Sequence, residues 1–210
     1  MTEQEINQVI TRQRKYFRTG ATLPVNRRIN ALRRLYAAVS GHEKEIHAAL
    51  KADLGKSNFE SYMCETGMVL EEIRYMIKHI PRFAADRRVR TPLAQFHSKS
   101  FVKPSPYGVV LIMSPWNYPF MLTISPLVDA LAAGNTAVVK PSAYSPHTSA
   151  VIADILAQCF PSRYVAVVTG GRAENTCLLK EHFDYIFFTG SQAVGKEVMR
   201  NAAEYLTPVT

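Results

Sequence analysis

Residues 108–142, GVVLIMSPWNYPFMLTISPLVDALAAGNTAVVKPS, form the stretch that decides the fold class. Short runs rich in β-branched side chains at 108–113 and 136–139 flank an apolar segment at 120–133 that is long enough for a helix. Two strands connected by a helix form a parallel pair with a right-handed crossover. The stretch therefore predicts a βαβ unit, in which helices cover a parallel sheet.

The same alternation continues to residue 210. We predict further elements in this order: a helix at 145–159, a strand at 164–168, a helix at 174–181, a strand at 185–188, a helix at 191–205 and an extended run at 207–210. Alternating strands and helices are typical of doubly wound sheets. The predicted fold class is α/β, a Rossmann-like parallel sheet with helices on both faces.

The residues that precede this sheet are predicted to be helical. Apolar side chains recur there at helical spacing, with Arg and Lys on the opposite side. The predicted helices lie at 6–17, 25–39, 41–53 and 62–80. Residues 91–106 contain three prolines and lack this periodicity. The chain thus divides into an N-terminal helical segment at 1–90, a linker or oligomerisation strand at 91–106, and an α/β unit at 107–210 that is incomplete at its C-terminus.

Composition excludes several classes of protein. With 47% hydrophobic and 20% charged residues among 210, the chain is too apolar for a disordered segment and too long for a disulfide mini-protein. Its apolar runs stay far below the ~18 residues of a membrane span. The N-terminus carries charges and amides where a signal peptide has an apolar core. We therefore expect a soluble, cytoplasmic protein without a membrane span.

The cysteines and histidines predict neither disulfides nor a metal centre. Cys64, Cys159 and Cys177 are odd in number and form no CxxC pair, and the six histidines are scattered. Each cysteine is interpreted either as a small buried hydrophobe or as a nucleophile, and the first interpretation is favoured.

Charge is distributed unevenly along the chain. Residues 1–106 contain 19 Lys/Arg and 10 Asp/Glu, a net charge of +9, whereas residues 107–210 contain 6 and 7, a net charge of −1. The basic clusters, among them Arg27-Arg28 and Arg33-Arg34, admit a nucleic-acid interpretation, which predicts salt-dependent retention on DNA or RNA. They accompany no recognition motif, so solvated faces of amphipathic helices are favoured and no nucleic-acid partner is expected.

The residues just after each predicted strand are the natural place to look for a ligand site, because open parallel sheets bind ligands beyond the carboxyl ends of their strands. Asn117 follows the first strand, in a loop that Pro115 and Pro119 restrict. A fixed carboxamide donor suits the stabilisation of an oxyanion. The alternative is an Asx-turn in a proline-rich loop.

Two further strand ends carry candidate residues. Lys140 ends the strand TAVVK, where its ammonium can meet a ribose hydroxyl or a phosphate; the alternative is an exposed lysine without a ligand. Residues 190–195, GSQAVG, begin a helix whose free N–H groups favour an anion such as pyrophosphate. The alternative there is an ordinary Gly-Ser helix start.

Three blocks, PWNYP, KPS and FTGS, occur in an order and spacing that resemble the aldehyde dehydrogenase superfamily. PWNYP and KPS lie in SPWNYPFMLTISPLVDALAAGNTAVVKPS, and FTGS lies in FDYIFFTGSQAVGKEVM; the final LTPVT is part of the same resemblance. The segments ALKADLGKSNFESYMCETGMVLEEIRYMIKHI and PYGVVLIMSPWNYP resemble the class 3 group, which includes fatty-aldehyde and coniferyl-aldehyde dehydrogenases. The resemblance covers nearly the whole chain.

The resemblance implies a reaction and a set of site residues. In the family a cysteine thiolate attacks an aldehyde, NAD or NADP is reduced, and a water activated by a glutamate releases the carboxylic acid. Asn117 is implied as the catalytic donor to the oxyanion. The residues implied for cofactor binding are Trp116, Lys140, Gly190, Ser191, Val194 and Gly195.

The sequence departs from the family pattern in two ways. Family members often have Glu after KPS, whereas this chain has Ala143, which predicts a weaker preference for NAD over NADP. The resemblance also implies that the catalytic Glu and the nucleophilic Cys follow Thr210, so the catalytic domain is absent from this chain. We therefore expect an N-terminal fragment that is inactive alone and forms a homodimer when full length. The alternative is a non-catalytic, dinucleotide-binding or interaction remnant.

Overall fold

A computed structural model describes residues 1–210 as a mixed α/β fold. The N-terminal helices are α1 (Glu3–Arg18), α2 (Val25–Gly41), α3 (Glu43–Leu54), α4 (Asn58–Ser61), a π-helical turn (Tyr62–Thr66) and α5 (Gly67–Phe83). Then come β1 (Arg87–Val89), a 3-10 turn (Leu93–Gln95) and β2 (Ser100–Val102). The remaining elements are β3 (Val109–Met113), α6 (Met121–Ala133), β4 (Thr136–Lys140), α7 (Pro146–Cys159), β5 (Val165–Val167), α8 (Arg172–Leu179), β6 (Tyr185–Phe188) and α9 (Gln192–Ala203).

The main sheet is parallel and has the strand order β5-β4-β3-β6. Strand β3 lies inside it, and all five of its residues are buried. The extended run at the end of the chain begins to pair with β6, through a parallel bridge between Ile186 and Val209. The predicted parallel α/β sheet is therefore confirmed. Strands β1 and β2 form a separate antiparallel pair.

Helices cover both faces of the sheet, as predicted. Side chains of β3 alternate between the faces: Val110 and Ile112 contact a cluster that includes α2, α3, α5, α6 and α7, while Val109 and Leu111 contact one that includes α1, α8 and α9. Both clusters combine N-terminal helices with the sheet. The division at residues 90 and 106 stays a prediction.

The fourth predicted helix, 62–80, differs from the structure in its first turn. It begins as the π-helical turn. The apolar stripe expected for this helix consists of Tyr62, Thr66, Val69, Ile73, Met76, Ile77 and Ile80, but Tyr62 is 43% exposed. A side chain at Gly67 would place its Cβ 2.7 Å from the Tyr62 carbonyl oxygen, so the turn needs glycine there. Thr66, Val69, Ile73 and Ile80 of the stripe are buried.

The assignment of Arg28 to a solvated helix face is wrong. Its side chain is buried, and its guanidinium donates hydrogen bonds to the carbonyls of Thr22, Leu23 and Ala132, the last at 3.3 Å. Arg28 thereby ties the start of α2 to the end of α6. Part of the basic excess in residues 1–106 thus serves packing.

We expect Arg28→Ala to lower the free energy of unfolding by about 3 kcal/mol, because it leaves buried carbonyls without donors and opens a cavity. The neighbouring exposed Arg27 supplies the control: Arg27→Ala should change the free energy of unfolding by less than about 0.5 kcal/mol. Urea unfolding of the two variants makes the comparison. Equal losses would show that Arg28 contributes only its charge.

None of the helices combines the length and the hydropathy that a membrane crossing requires. Within residues 91–106, where a linker or a strand is predicted, Phe101 and Val102 lie in β2, whereas Phe96 follows the 3-10 turn and lies outside any strand.

Candidate functional site

The register of the sheet brings three strand ends into line. Met113, the last residue of β3, pairs with Lys140 on one side and with Phe188 on the other. The loops that leave β3, β4 and β6 therefore begin at the same edge of the sheet. This is the carboxyl edge, where open parallel sheets bind their ligands.

A cleft of about 330 Å³ lies at this edge. Its walls come from the ends of β3 and β4, the loop after β5, and the starts of α8 and α9. Of the residues singled out from the sequence, Lys140 and Val194 line it, together with Ala143. Asn175 also lines the cleft, and its Oδ1 is buried without a hydrogen-bond partner.

Lys140 is a buried residue of the cleft, which overturns the alternative of an exposed lysine. It is only 3% exposed, and its Nζ donates one hydrogen bond, of 2.9 Å, to the Pro141 carbonyl. Burial lowers the pKa of Lys140, and the nearby Glu174 carboxylate acts in the opposite direction. An ammonium with one protein acceptor keeps two N–H donors for a ligand.

The start of α9 is held by its own residues. The Ser191 side chain accepts a hydrogen bond from the Val194 N–H, at 3.4 Å, and thus caps the helix. A Cβ on Gly190 would lie 2.5 Å from Cζ of Phe188, so the turn before the helix has no room for a side chain unless that ring moves. Gly195 completes the first turn by donating to the Ser191 carbonyl.

The loop 114–120 connects β3 to α6 and carries Trp116 and Asn117. Both residues are exposed, Trp116 to 54%, whereas Pro119 and Phe120 are buried and fix the end of the loop. The loop starts at the edge that contains the cleft, but Trp116 and Asn117 do not line the cleft itself. The structure thus brings Lys140 and Val194 together and places Asn117 on the adjoining loop.

Sequence reasoning missed two charged residues next to this loop, Lys56 and Glu65. They form a buried ion pair, and both contact the loop through hydrogen bonds. A signal for Glu65 was present: it lies four residues before Val69 and eight before Ile73, on the buried stripe of the long helix. A carboxylate on a buried stripe indicates a paired charge.

Comparison with known proteins shows the family of this chain. A sequence model of the aldehyde dehydrogenase family matches residues 1–210. The chain belongs to this family. The resemblance read from the PWNYP, KPS and FTGS blocks is therefore confirmed, and the relatives described next place this family member with the class 3 enzymes.

Two curated relatives and one solved structure show the similarity. Aldehyde dehydrogenase family 3 member A2 of Mus musculus is 45% identical over 201 residues, which cover 96% of this chain and 42% of the relative. The dimeric NADP-preferring aldehyde dehydrogenase of Canis lupus familiaris is 45% identical over 207 residues, which cover 98% and 46%. The substrate-bound AldH of Staphylococcus aureus superposes with a TM-score of 0.96 at 41% identity, over 98% of this chain and 45% of that structure.

The chain spans less than half of the length of these relatives and corresponds to the N-terminal part of the class 3 enzymes. Within residues 1–210, no group of three or more His, Cys, Asp or Glu side chains is arranged to hold a metal ion. The three cysteines are free thiols, and Cys159 is buried in α7.

Proposed function

We propose that this chain supplies the cofactor-binding part of an NAD(P)-dependent aldehyde dehydrogenase, which oxidises aldehydes to carboxylic acids. The alignment of Met113, Lys140 and Phe188 is the observation that carries the proposal, because it sets the Asn117 loop, the Lys140 ammonium and the start of α9 at one edge. Family membership supplies the class of reaction.

The cleft fits a dinucleotide in its chemistry. Lys140 has N–H donors that are free for a ribose hydroxyl or a phosphate. The Gly190-Ser191 turn and the first N–H groups of α9 suit a pyrophosphate, with Val194 and Gly195 in the same helical turn. We also propose Trp116 as a cofactor contact, from the loop 114–120 that starts at the cleft; Trp116 does not line the cleft itself. When bound, the nicotinamide supplies the two-electron acceptor.

Asn117 is proposed as the catalytic donor. Asn117 is exposed, and its backbone carbonyl accepts a hydrogen bond from the buried Lys56. The side-chain N–H is therefore free to point at a negative charge that develops on an aldehyde oxygen. A donor that already points at this charge stabilises the transition state without reorganisation. This is the only step of the reaction that we assign to a side chain in residues 1–210.

The three cysteines are not proposed as the nucleophile. Burial raises the pKa of Cys159, whose Sγ lies 4.0 Å from the Arg34 carbonyl, so this thiol stays protonated near neutral pH. Cys64 and Cys177 are partly buried within helical turns. We therefore propose that residues 1–210 alone bind cofactor without turnover, because the covalent step needs a thiolate.

The proposal extends to partners. The canine relative is named dimeric, which supports a homodimer for the complete protein, and an aldehyde is the small-molecule substrate. The free thiols of all three cysteines support a reducing compartment such as the cytoplasm.

Two measurements test the function. Residues 1–210 should bind NAD+ or NADP+ in a calorimetric titration, and the complete protein should reduce the cofactor when an aldehyde is added. A complete protein that binds the cofactor but never oxidises a panel of aliphatic and aromatic aldehydes would support the dinucleotide-binding remnant instead. Absence of cofactor binding would contradict both.

Ala143 provides a prediction about cofactor choice. A carboxylate at this position would accept hydrogen bonds from the ribose hydroxyls and repel a 2′-phosphate, and Ala143 lines the cleft beside Lys140. We expect Ala143→Glu to weaken NADP+ binding about tenfold or more and to leave NAD+ binding equal or tighter. In the unsubstituted protein, the dissociation constants for NAD+ and NADP+ should differ by less than about a hundredfold.

Titrations with both cofactors check this prediction. Ala203→Glu adds the same charge at the exposed far end of α9 and should change neither constant. Tighter binding of NAD+ by two orders of magnitude in the unsubstituted protein would overturn it.

A further inference from the structure

Lys56 and Glu65 form an ion pair with almost no access to solvent. The Lys56 Nζ lies 2.5 Å from Oε1 of Glu65, and the two side chains are 7% and 0% exposed. Burying two charges is expensive, and apolar residues of similar volume often stabilise a protein as well or better. An ion pair in such a place calls for an explanation beyond stability.

The second oxygen of Glu65 holds the start of α6. Its Oε2 accepts hydrogen bonds from the N–H groups of Phe120, at 3.0 Å, and Met121, at 2.8 Å. The first N–H groups of a helix have no partner within the helix. Glu65 therefore caps α6 from a distant part of the chain, at the point where the loop 114–120 ends.

Lys56 holds the middle of the same loop. Its Nζ donates to the Asn117 carbonyl at 3.1 Å and lies 4.1 Å from the centre of the Tyr118 ring. A cation over an aromatic face is attracted to it. The ion pair thus contacts the loop at Asn117 and Tyr118 through its cation and at Phe120 through its carboxylate.

The π-helical turn carries the carboxylate of this pair. Glu65 lies within that turn, which closes on Gly67, the position where a Cβ would come 2.7 Å from the Tyr62 carbonyl. Isolated π-helical turns occur frequently at functional sites. Burial raises the pKa of Glu65, whereas the ammonium of Lys56 and the N–H groups of α6 favour the carboxylate.

We propose that Lys56 and Glu65 are positioning residues, which hold the loop 114–120 in the conformation that presents the Asn117 carboxamide to the reacting aldehyde. The inference rests on the proposed role of Asn117. We place neither residue against substrate or cofactor: Lys56 acts through the Asn117 carbonyl and the Tyr118 ring, and Glu65 acts through the N–H groups of Phe120 and Met121. Disruption of the pair should therefore lower kcat and leave cofactor binding nearly unchanged.

The loop carries its own probe, because Trp116 is the one tryptophan in residues 1–210. Its fluorescence emission and its quenching by acrylamide report the environment of the loop directly. The test variant is Lys56→Met. The matched control is Arg14→Met, which breaks the Arg14–Asp184 ion pair of 2.9 Å at the opposite, amino edge of the same sheet.

We expect Lys56→Met to shift the emission and quenching of Trp116, and to lower kcat of the complete protein about tenfold or more. Its NAD(P)+ dissociation constant should change much less than kcat, by less than about fivefold, since Lys140 and Val194 lie outside the loop and only Ser114 of the loop lines the cleft. Arg14→Met should leave both the fluorescence and kcat unchanged, whatever its stability. If Lys56→Met has the same Trp116 fluorescence and the same kcat as Arg14→Met, the inference is wrong.

A second variant keeps the test valid if Lys56→Met does not fold. Glu65→Gln retains a side-chain oxygen that can accept from the N–H groups of Phe120 and Met121, but it removes the negative charge that pairs with Lys56. This variant should show the same changes in Trp116 fluorescence and kcat to a smaller extent. The Asn117→Ala variant separates the inference from the function. If Asn117→Ala leaves kcat unchanged while Lys56→Met still shifts Trp116, the role of Asn117 is wrong and the control of the loop by the ion pair stands.

Discussion

Replacement of Asn117 by alanine is expected to lower kcat for aldehyde oxidation about 10²- to 10³-fold, the loss that follows removal of one preorganised oxyanion donor. The negative charge on the aldehyde oxygen develops only as the nucleophile attacks. A donor to that charge therefore contributes to the transition state more than to substrate binding. The measurement is the steady-state rate of the complete protein at saturating cofactor and aldehyde.

Two variants show whether this loss is specific. Asn117→Asp has the same shape but places a carboxylate beside the developing charge, so its kcat should fall at least as far. Asn26→Ala removes an exposed asparagine from the first turn of α2 and should leave kcat unchanged. The dissociation constant for NAD(P)+ should stay within about twofold in all three variants. An Asn117→Ala variant with full activity would exclude the catalytic role.

The sheet could be predicted because its signal is local and repeated. Each strand of residues 107–210 is a short run of mainly β-branched or aromatic side chains, and each connection is long enough for a helix, so one interpretation satisfies all of them. Position at the carboxyl edge follows from topology alone, which is why Asn117, Lys140 and Ser191 could be selected before any coordinates.

The burial of charged residues could not be predicted in the same way. Exposure to solvent is the expectation for Arg28 and the alternative for Lys140, because a charged side chain is usually exposed. Arg28 instead contacts the end of α6, which lies about a hundred residues further along the chain, and Lys140 lines a cleft together with the loop after β5 and the start of α8. These partners are distant in sequence and leave no periodic signal near either residue.

The Lys56–Glu65 pair shows the same limit at the site itself. Its two members are nine residues apart, but the loop that they hold lies more than fifty residues away. Helical periodicity places Glu65 on a buried stripe, yet the partner of its carboxylate depends on how the π-helical turn packs against α6. Local patterns thus located the carboxyl edge of the sheet, and tertiary contacts determine how the loop 114–120 is held there.

Replacement of Lys140 by methionine is expected to weaken NAD(P)+ binding about 10- to 100-fold, because a hydrogen bond from a charged donor contributes about 1.5–3 kcal/mol. Methionine keeps most of the length of the side chain and removes only the ammonium. The exposed Lys196 on α9 provides the control, since Lys196→Met removes the same charge outside the cleft lining. Calorimetric titration of both variants makes the comparison.

The same substitution should raise the thermal unfolding midpoint of the cofactor-free protein, because the ammonium of Lys140 is desolvated and has one protein acceptor. Burial lowers the pKa of Lys140 in the folded protein below the ordinary lysine pKa. In the pH window between these two pKa values the unfolded chain binds more protons than the folded one. The stability of the unsubstituted protein therefore rises with pH across that window. The advantage of Lys140→Met should therefore be full at neutral pH and shrink as the pH rises through the window. A variant with a lower midpoint at neutral pH, or an advantage that grows with pH, would show that the ammonium stabilises the fold and is not held there for a ligand.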